Sequence, residues 1–196
     1  MSSSDKSATV KAGSRSAIAR AVKVLKSGGL IVFPTETSYG LGADAKNRKA
    51  IAATFKAKQS PQSKRISVMV ADKAMAKEFF EVTPVVERLI DVFLPGPLTI
   101  ITKGRSFRIP DHPFCRRLAK ALGRPVTSTS ANLAGQGDCY SVSQARDSLK
   151  GVALFIDGGR LPKRRPSTVF DADSGVILRK GPISKARIEQ ALKVDG

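Results

Sequence analysis

A chain of 196 residues with a hydrophobic share of 41% can bury one substantial core and is too short for several large domains. Its formal charge of +18, from 34 Lys and Arg against 16 Asp and Glu, makes an anionic partner the simplest relief for self-repulsion. No apolar run approaches a membrane span, and Cys115 and Cys139 have neither metal-ligand spacing nor a disulfide-rich context, so a cytoplasmic protein without a membrane partner is expected.

Residues 1–14 lack an apolar targeting segment and read as a disordered basic tail, leaving 15–196 as one domain. Ser14 to Ser27 places Ile18, Ala21, Val22 and Leu25 on one helical face, with Gly28 as the C-terminal stop. Leu30 to Phe33 is a buried strand that Pro34 should end. Thr35, Glu36, Thr37, Ser38 and Tyr39 then gather four hydroxyls and a carboxylate at the strand's carboxyl end, where open α/β sheets hold ligands. Gly40 and Gly42 read as positions where the backbone turns tightly or approaches a ligand. The glycines stand too far from the strand for a dinucleotide fingerprint, and no Gly-Lys-Ser/Thr follows to make a P-loop.

Asn47 caps a second helix, with Ile51, Ala52 and Phe55 expected inward, and a basic loop runs from Lys56 to Arg65. Ile66 to Val70 is a strand, Asp72 starts a helix, and Thr83-Pro84 starts another. Pro95-Gly96-Pro97 turns the chain into the strand Leu98–Thr102, followed by a shorter strand from Arg105 to Ile109. Phe114 to Leu122 is a helix stopped by Gly123. Val126 enters a strand ahead of a second polar cluster: Thr127, Ser128, Thr129, Ser130 and Asn132. A helix capped by Ser143, a strand from Val152 to Ile156, Ser167 to Phe170, a turn, and the strand Val176–Arg179 follow. Ser184 caps a last helix with Ile188 and Leu192 on its inner face. Strands and helices interleave without repeats, which predicts an α/β or α+β domain built on a mixed sheet.

Hydroxyls, amides and backbone N–H groups hold phosphate and carboxylate oxygens, and Lys and Arg neutralise them. The inventory suits a nucleotide or an amino acid. His112, between Asp111 and Pro113, reads as structural, and neither cysteine has a partner pattern that would activate it. What remains is chemistry that needs positioning and charge stabilisation, with transfer at phosphorus the leading example.

Phe33-Pro-Thr-Glu-Thr-Ser-Tyr-Gly-Leu-Gly42, Pro95-Gly-Pro-Leu-Thr99, Arg108-Ile-Pro-Asp-His-Pro113, Thr129-Ser-Ala-Asn132 and Ser167-Thr-Val169 occur in this order. Together they resemble the YrdC/TsaC family, the threonylcarbamoyl-AMP synthases of transfer-RNA modification, over about Arg15 to Leu192. The resemblance implies the family's short form, a twisted α/β sheet around a large basic cavity. It also implies condensation of L-threonine, bicarbonate and ATP to threonylcarbamoyl-AMP and pyrophosphate, with Mg²⁺ carried on the phosphates. A threonylcarbamoyl transferase acting on tRNA at position 37 would be the next partner.

By the same resemblance, Thr35, Arg108, Ser128 and Ser167 fall at threonine-side positions, with Arg108 suited to a carboxylate. Ser130, Asn132 and Arg179 fall at nucleotide positions, while Lys58 and Lys64 lie in the segment that lines the triphosphate and carry the catalytic assignment. Ser60 stands where the family usually has arginine, with Arg65 as the nearby substitute charge, and Met69 stands where many members have histidine. The alternative reading is an RNA-binding module of the same fold with weakened catalysis, using the basic surface on tRNA or another RNA.

Overall fold

The structure, a computed structural model, describes residues 7–193. In chain order its first elements are β1 (Ala8–Lys11), α1 (Ala17–Lys26), β2 (Leu30–Pro34), β3 (Tyr39–Gly42), α2 (Arg48–Ala57) and β4 (Val68–Met69). Next come α3 (Lys73–Phe79), α4 (Pro84–Phe93), β5 (Leu98–Thr102), β6 (Arg105–Arg108), α5 (Pro113–Leu122), β7 (Val126–Thr127) and β8 (Thr129–Ser130). The chain closes with α6 (Val142–Ser148), β9 (Val152–Asp157), β10 (Thr168–Asp171), β11 (Val176–Arg179) and α7 (Lys185–Lys193).

The helix starts follow their local chemistry. Asn47, Asp72 and Thr83 each accept a hydrogen bond from a backbone N–H of the first turn, satisfying donors that the helix itself cannot. The cap of α6 is Ser141 rather than the expected Ser143. Gly123 ends α5 in the left-handed conformation at φ 72°, which a side chain would resist.

The strands form two mixed sheets rather than one. The five-stranded sheet has the order β1-β9-β2-β3-β8, and the six-stranded sheet the order β11-β10-β5-β6-β4-β7. Strand β2 is apolar throughout because both its faces are covered. Ile31 and Phe33 pack toward α1 and α5, whereas Leu30 and Val32 pack among residues of α2 and α6. The six-stranded sheet behaves differently. Leu98 and Ile100 of β5 and Phe107 of β6 enter a core shared with α3, α4 and α7, while Thr99 and Arg108 between them face the other way. That polar face is one wall of a cavity.

The structure departs from three of these expectations. Residues 8–11, placed in a disordered tail, form β1, which pairs in parallel with β9, its backbone polar groups joining the sheet; residues 1–6 lie outside the described residues. Tyr39 to Gly42, read as part of a ligand-binding turn, is strand β3, antiparallel to β2. Gly42 serves packing: a Cβ there would lie 2.6 Å from the Phe33 ring and 2.8 Å from the Thr127 carbonyl oxygen. In α2 the buried residues are Ala50, Thr54 and Phe55, with Ile51 and Ala52 only partly covered. No helix among the described residues is long and apolar enough to cross a membrane.

Candidate functional site

The segment Val126 to Ser130 crosses from one sheet to the other. Strand β7 pairs with β4 in the six-stranded sheet, and β8 pairs with β3 in the five-stranded one. Ser128 sits at the crossing, its N–H donating to the Ser67 carbonyl at 2.8 Å. A bridge between Asp44 and Val126 ties the sheets together beside it. The space left between the sheets is the site.

It has two compartments. The first, about 260 Å³, is lined by the β2–β3 turn and by Thr99, Arg108, Ser128, Ser167 and Arg179, among others. The second, about 310 Å³, is lined by Lys58, Ser60, Lys64, Asn132 and the loop that follows Asn132. Arg65, Ile66, Thr129, Ser130 and Asp138 border both, so the compartments adjoin along a common wall.

In the first compartment, Thr35 Oγ1 donates to the Ser38 carbonyl at 2.7 Å and accepts from the Thr37 and Ser38 N–H groups, which folds the turn tightly. The turn places Glu36 against Arg108: Nη1 donates to Oε1 at 2.5 Å, and the side chains are only 8% and 10% exposed. No other hydrogen bond of the Arg108 side chain occurs among the described residues. Glu36 Oε2 is buried without a partner. In the same compartment, Arg179 donates through Nε to the Ser167 carbonyl at 3.0 Å and through Nη2 to Ser167 Oγ at 2.9 Å. Ser167 Oγ also meets Thr99 Oγ1 at 2.8 Å. Burial first, and the neighbouring Arg108 charge second, press the Arg179 pKa downward.

In the second compartment, Lys58 is not a free surface cation. Its ammonium donates to the carbonyls of Ser130 and, at 2.7 Å, of Asn132. Burial lowers its pKa to about 8, against partial support from the Asp138 charge. The Asn132 amide donates to the carbonyls of Leu133 at 3.0 Å and Gln136 at 2.5 Å. This fixes its orientation and leaves Oδ1 buried without a partner. Lys64 and Arg65 are exposed at the rim, and Ser60 is half-buried beside them.

The ten residues expected from the sequence therefore converge on this paired cavity. Arg179, expected beside the nucleotide, lines the first compartment rather than the second. Met69 is buried in the core with Phe33 and Phe114 and does not line the cavity. Glu36 was expected only as the carboxylate of the polar turn, and Thr99 and Asp138 are not among the site residues expected from the sequence. Thr99 was readable from the alternation of Leu98-Thr99-Ile100, while nothing local signals Asp138. His112 Nδ1 is buried without a partner, and burial lowers its pKa. Cys115 is fully buried, its thiol donating to the Pro34 carbonyl at 3.3 Å and pushed far up by burial. Cys139 is buried as well, which also raises it. Neither thiol is poised for attack.

No group of three or more His, Cys, Asp or Glu side chains among the described residues could hold a metal ion by itself. Mg²⁺ seldom needs such a cage, since phosphates and water supply most of its ligands. Asp138 on the common wall and the unpartnered Asn132 Oδ1 fit an ion arriving on a nucleotide.

Fold and site define an α/β protein whose two mixed sheets enclose a cleft of two adjoining compartments lined by hydroxyls, lysines and arginines. The chain belongs to the Sua5/YciO/YrdC family, whose model, described as telomere recombination, matches residues 23–181. A threonylcarbamoyl-AMP synthase of Vibrio vulnificus (strain YJ016) is 36% identical over 178 residues, covering 82% of this chain and 96% of that protein. One of Bacillus subtilis (strain 168) is 34% identical over 194 residues, covering 89% of this chain and 56% of that protein. Among solved structures, Pyrococcus abyssi Sua5 complexed with L-threonine superposes with a TM-score of 0.82 at 30% identity, over 90% of this chain and 57% of that one. Escherichia coli YciO superposes with a TM-score of 0.79 at 29% identity, over 92% and 96%.

Proposed function

We propose that this chain is an L-threonylcarbamoyladenylate synthase, condensing L-threonine, bicarbonate and ATP for the N6-threonylcarbamoyladenosine modification of tRNA. The observation that carries the reading is the paired cavity: a hydroxyl-lined compartment ending at Arg108 adjoins a lysine-bearing compartment along a common wall. Relatives named threonylcarbamoyl-AMP synthase and the threonine-bound Sua5 structure support it.

Threonine lies in the first compartment, its carboxylate on the unused N–H groups of Arg108 and its hydroxyl among Thr35, Ser128 and Ser167. ATP lies with its phosphates toward Lys64, Arg65 and Ser60, and Ser130 and Asn132 form the wall beside it. Lys58 holds that wall by tying the Ser130 and Asn132 carbonyls together. Mg²⁺ carried on the phosphates would supply charge neutralisation, and Asp138, on the common wall, would be the carboxylate placed to help hold it.

The threonine ammonium gives up a proton, and the neutral amine adds to the carbon of bicarbonate with loss of water, giving an anionic carbamate. A carbamate oxygen then bonds to the α-phosphorus as the bond to the bridging oxygen breaks and pyrophosphate leaves. No protein nucleophile is needed, in keeping with the buried thiols. The protein orients two anions that repel one another and stabilises the charge that develops at phosphorus.

The test is pyrophosphate release from ATP with threonine and bicarbonate each omitted in turn. Release should require both, and turnover indifferent to threonine would refute the assignment.

A further inference from the structure

Three arginines line the first compartment: Arg65, Arg108 and Arg179. Only Arg108 has an ion-pair partner among the described residues, and that partner, Glu36, is as deeply covered as the arginine itself. Arg179 bonds only to Ser167, and Arg65 stands exposed where the compartments meet. The compartment is therefore electrostatically asymmetric. Arg108 offers hydrogen-bond donors whose charge is paired with Glu36, whereas Arg65 and Arg179 offer positive charge with no carboxylate partner among the described residues.

We propose that Glu36 is a specificity-determining residue acting through Arg108: it neutralises the amino-acid end of the cavity, so that this end accepts a zwitterion's carboxylate and rejects phosphate. The proposal rests on the threonine reading above. An amino-acid zwitterion carries its own compensating ammonium and needs donors more than net charge. A phosphate or pyrophosphate carries no such compensation, and at Arg108 it would meet the buried Glu36 carboxylate at close range in a poorly solvated setting. Discrimination matters because the compartments adjoin: a bare guanidinium at Arg108 would draw ATP phosphates or released pyrophosphate into the amino-acid end.

Glu36 has a second feature of such a role. Its Oε2 is buried and accepts no hydrogen bond, so Arg108, through Oε1, is the one donor to this carboxylate among the described residues. A purely structural ion pair would be expected to satisfy both oxygens.

The experiment is calorimetric binding of threonine to the wild type and to Glu36→Gln, each with and without inorganic phosphate or pyrophosphate. Gln keeps the size and an acceptor for Arg108 but removes the charge. In the wild type, neither anion should change threonine affinity. In Glu36→Gln, both should compete, weakening apparent threonine affinity about tenfold or more at saturating anion. A merely structural role predicts uniform weakening with no new competition, and that result would overturn the proposal. So would pyrophosphate competing with threonine in the wild type, a measurement that stands even if the variant fails to fold. Absence of threonine binding to the wild type would instead refute the synthase reading beneath it.

Discussion

Arg179 fixes Ser167 twice, through the carbonyl oxygen at 3.0 Å and through Oγ at 2.9 Å. One guanidinium thereby sets both the backbone and the hydroxyl of a residue that lines the first compartment. Arg179→Ala should weaken threonine and ATP together, because it releases Ser167 and removes a cation from the cavity. Arg179→Lys should not restore activity, since an ammonium cannot span the two acceptors in the same plane. Titrating each substrate at saturation of the other checks this, and an ATP-only effect would contradict the geometry.

Arg108→Ala should raise the threonine requirement far more than the ATP requirement, by about 2–5 kcal/mol of lost binding. It should also destabilise the fold by about 3–5 kcal/mol, because Glu36 would be left as a buried charge without its partner. Adding Glu36→Gln to Arg108→Ala should recover much of the stability and none of the threonine binding. Urea unfolding alongside calorimetry separates the two effects.

Lys58 connects pH to the wall of the second compartment. Its pKa is lowered by burial from 10.5 to about 8, so the ammonium that ties the Ser130 and Asn132 carbonyls loses its charge as pH rises through about 8. ATP affinity should fall over that range and should fall less in Lys58→Arg, which stays charged. The stability contribution runs the other way. Between about pH 8 and 10.5 the unfolded chain holds the Lys58 proton more tightly than the folded one, so unfolding free energy from this group rises with pH in that window. ATP binding and chemical denaturation measured from pH 7 to 10 should therefore diverge.

Ser60 and Arg65 line the same compartment. If Arg65 supplies the charge that the family usually places at position 60, Ser60→Arg should preserve or raise the rate. Arg65→Ala should then be costly alone and much milder when combined with Ser60→Arg. A double-mutant cycle measures the coupling, and additivity within about 0.3–0.5 kcal/mol would reject compensation.

Gly42→Ala should destabilise the protein by about 1–3 kcal/mol, since the added methyl meets the Phe33 ring and the Thr127 carbonyl, both held by the sheets. Phe33→Leu should relieve only part of the clash, because the carbonyl remains. Denaturant titration of the two single variants and the pair tests the order.

Much of the site was readable in advance. The clusters at residues 35–39 and 127–132 announced polar groups at strand ends, and Asn47, Asp72 and Thr83 announced helix starts, because capping is settled within a few residues of chain. The apolar alternation of β5 carries a signal for Thr99 opposite the core, although Thr99 is not among the site residues expected from the sequence. Strand β3 was missed because its glycines carry no strand signal; they are demanded by Phe33 on the neighbouring strand. Strands β7 and β8, with two residues each, are too short to show a period, so the passage from one sheet to the other left no local trace.

Local pattern by itself determined which residues are polar at strand ends, where most helices begin, and that the surface would be strongly basic. Only the tertiary structure decided which cation meets which acceptor. Arg108 and Glu36 stand 72 residues apart, and Lys58 and Asn132 stand 74 apart. A side chain's neighbours at that separation follow from how two sheets pack and twist, and no short-range preference encodes them. The sequence thus supplied an excess of positive charge, and packing determined that Glu36 neutralises it at Arg108 while Arg65 and Arg179 remain without a carboxylate partner among the described residues.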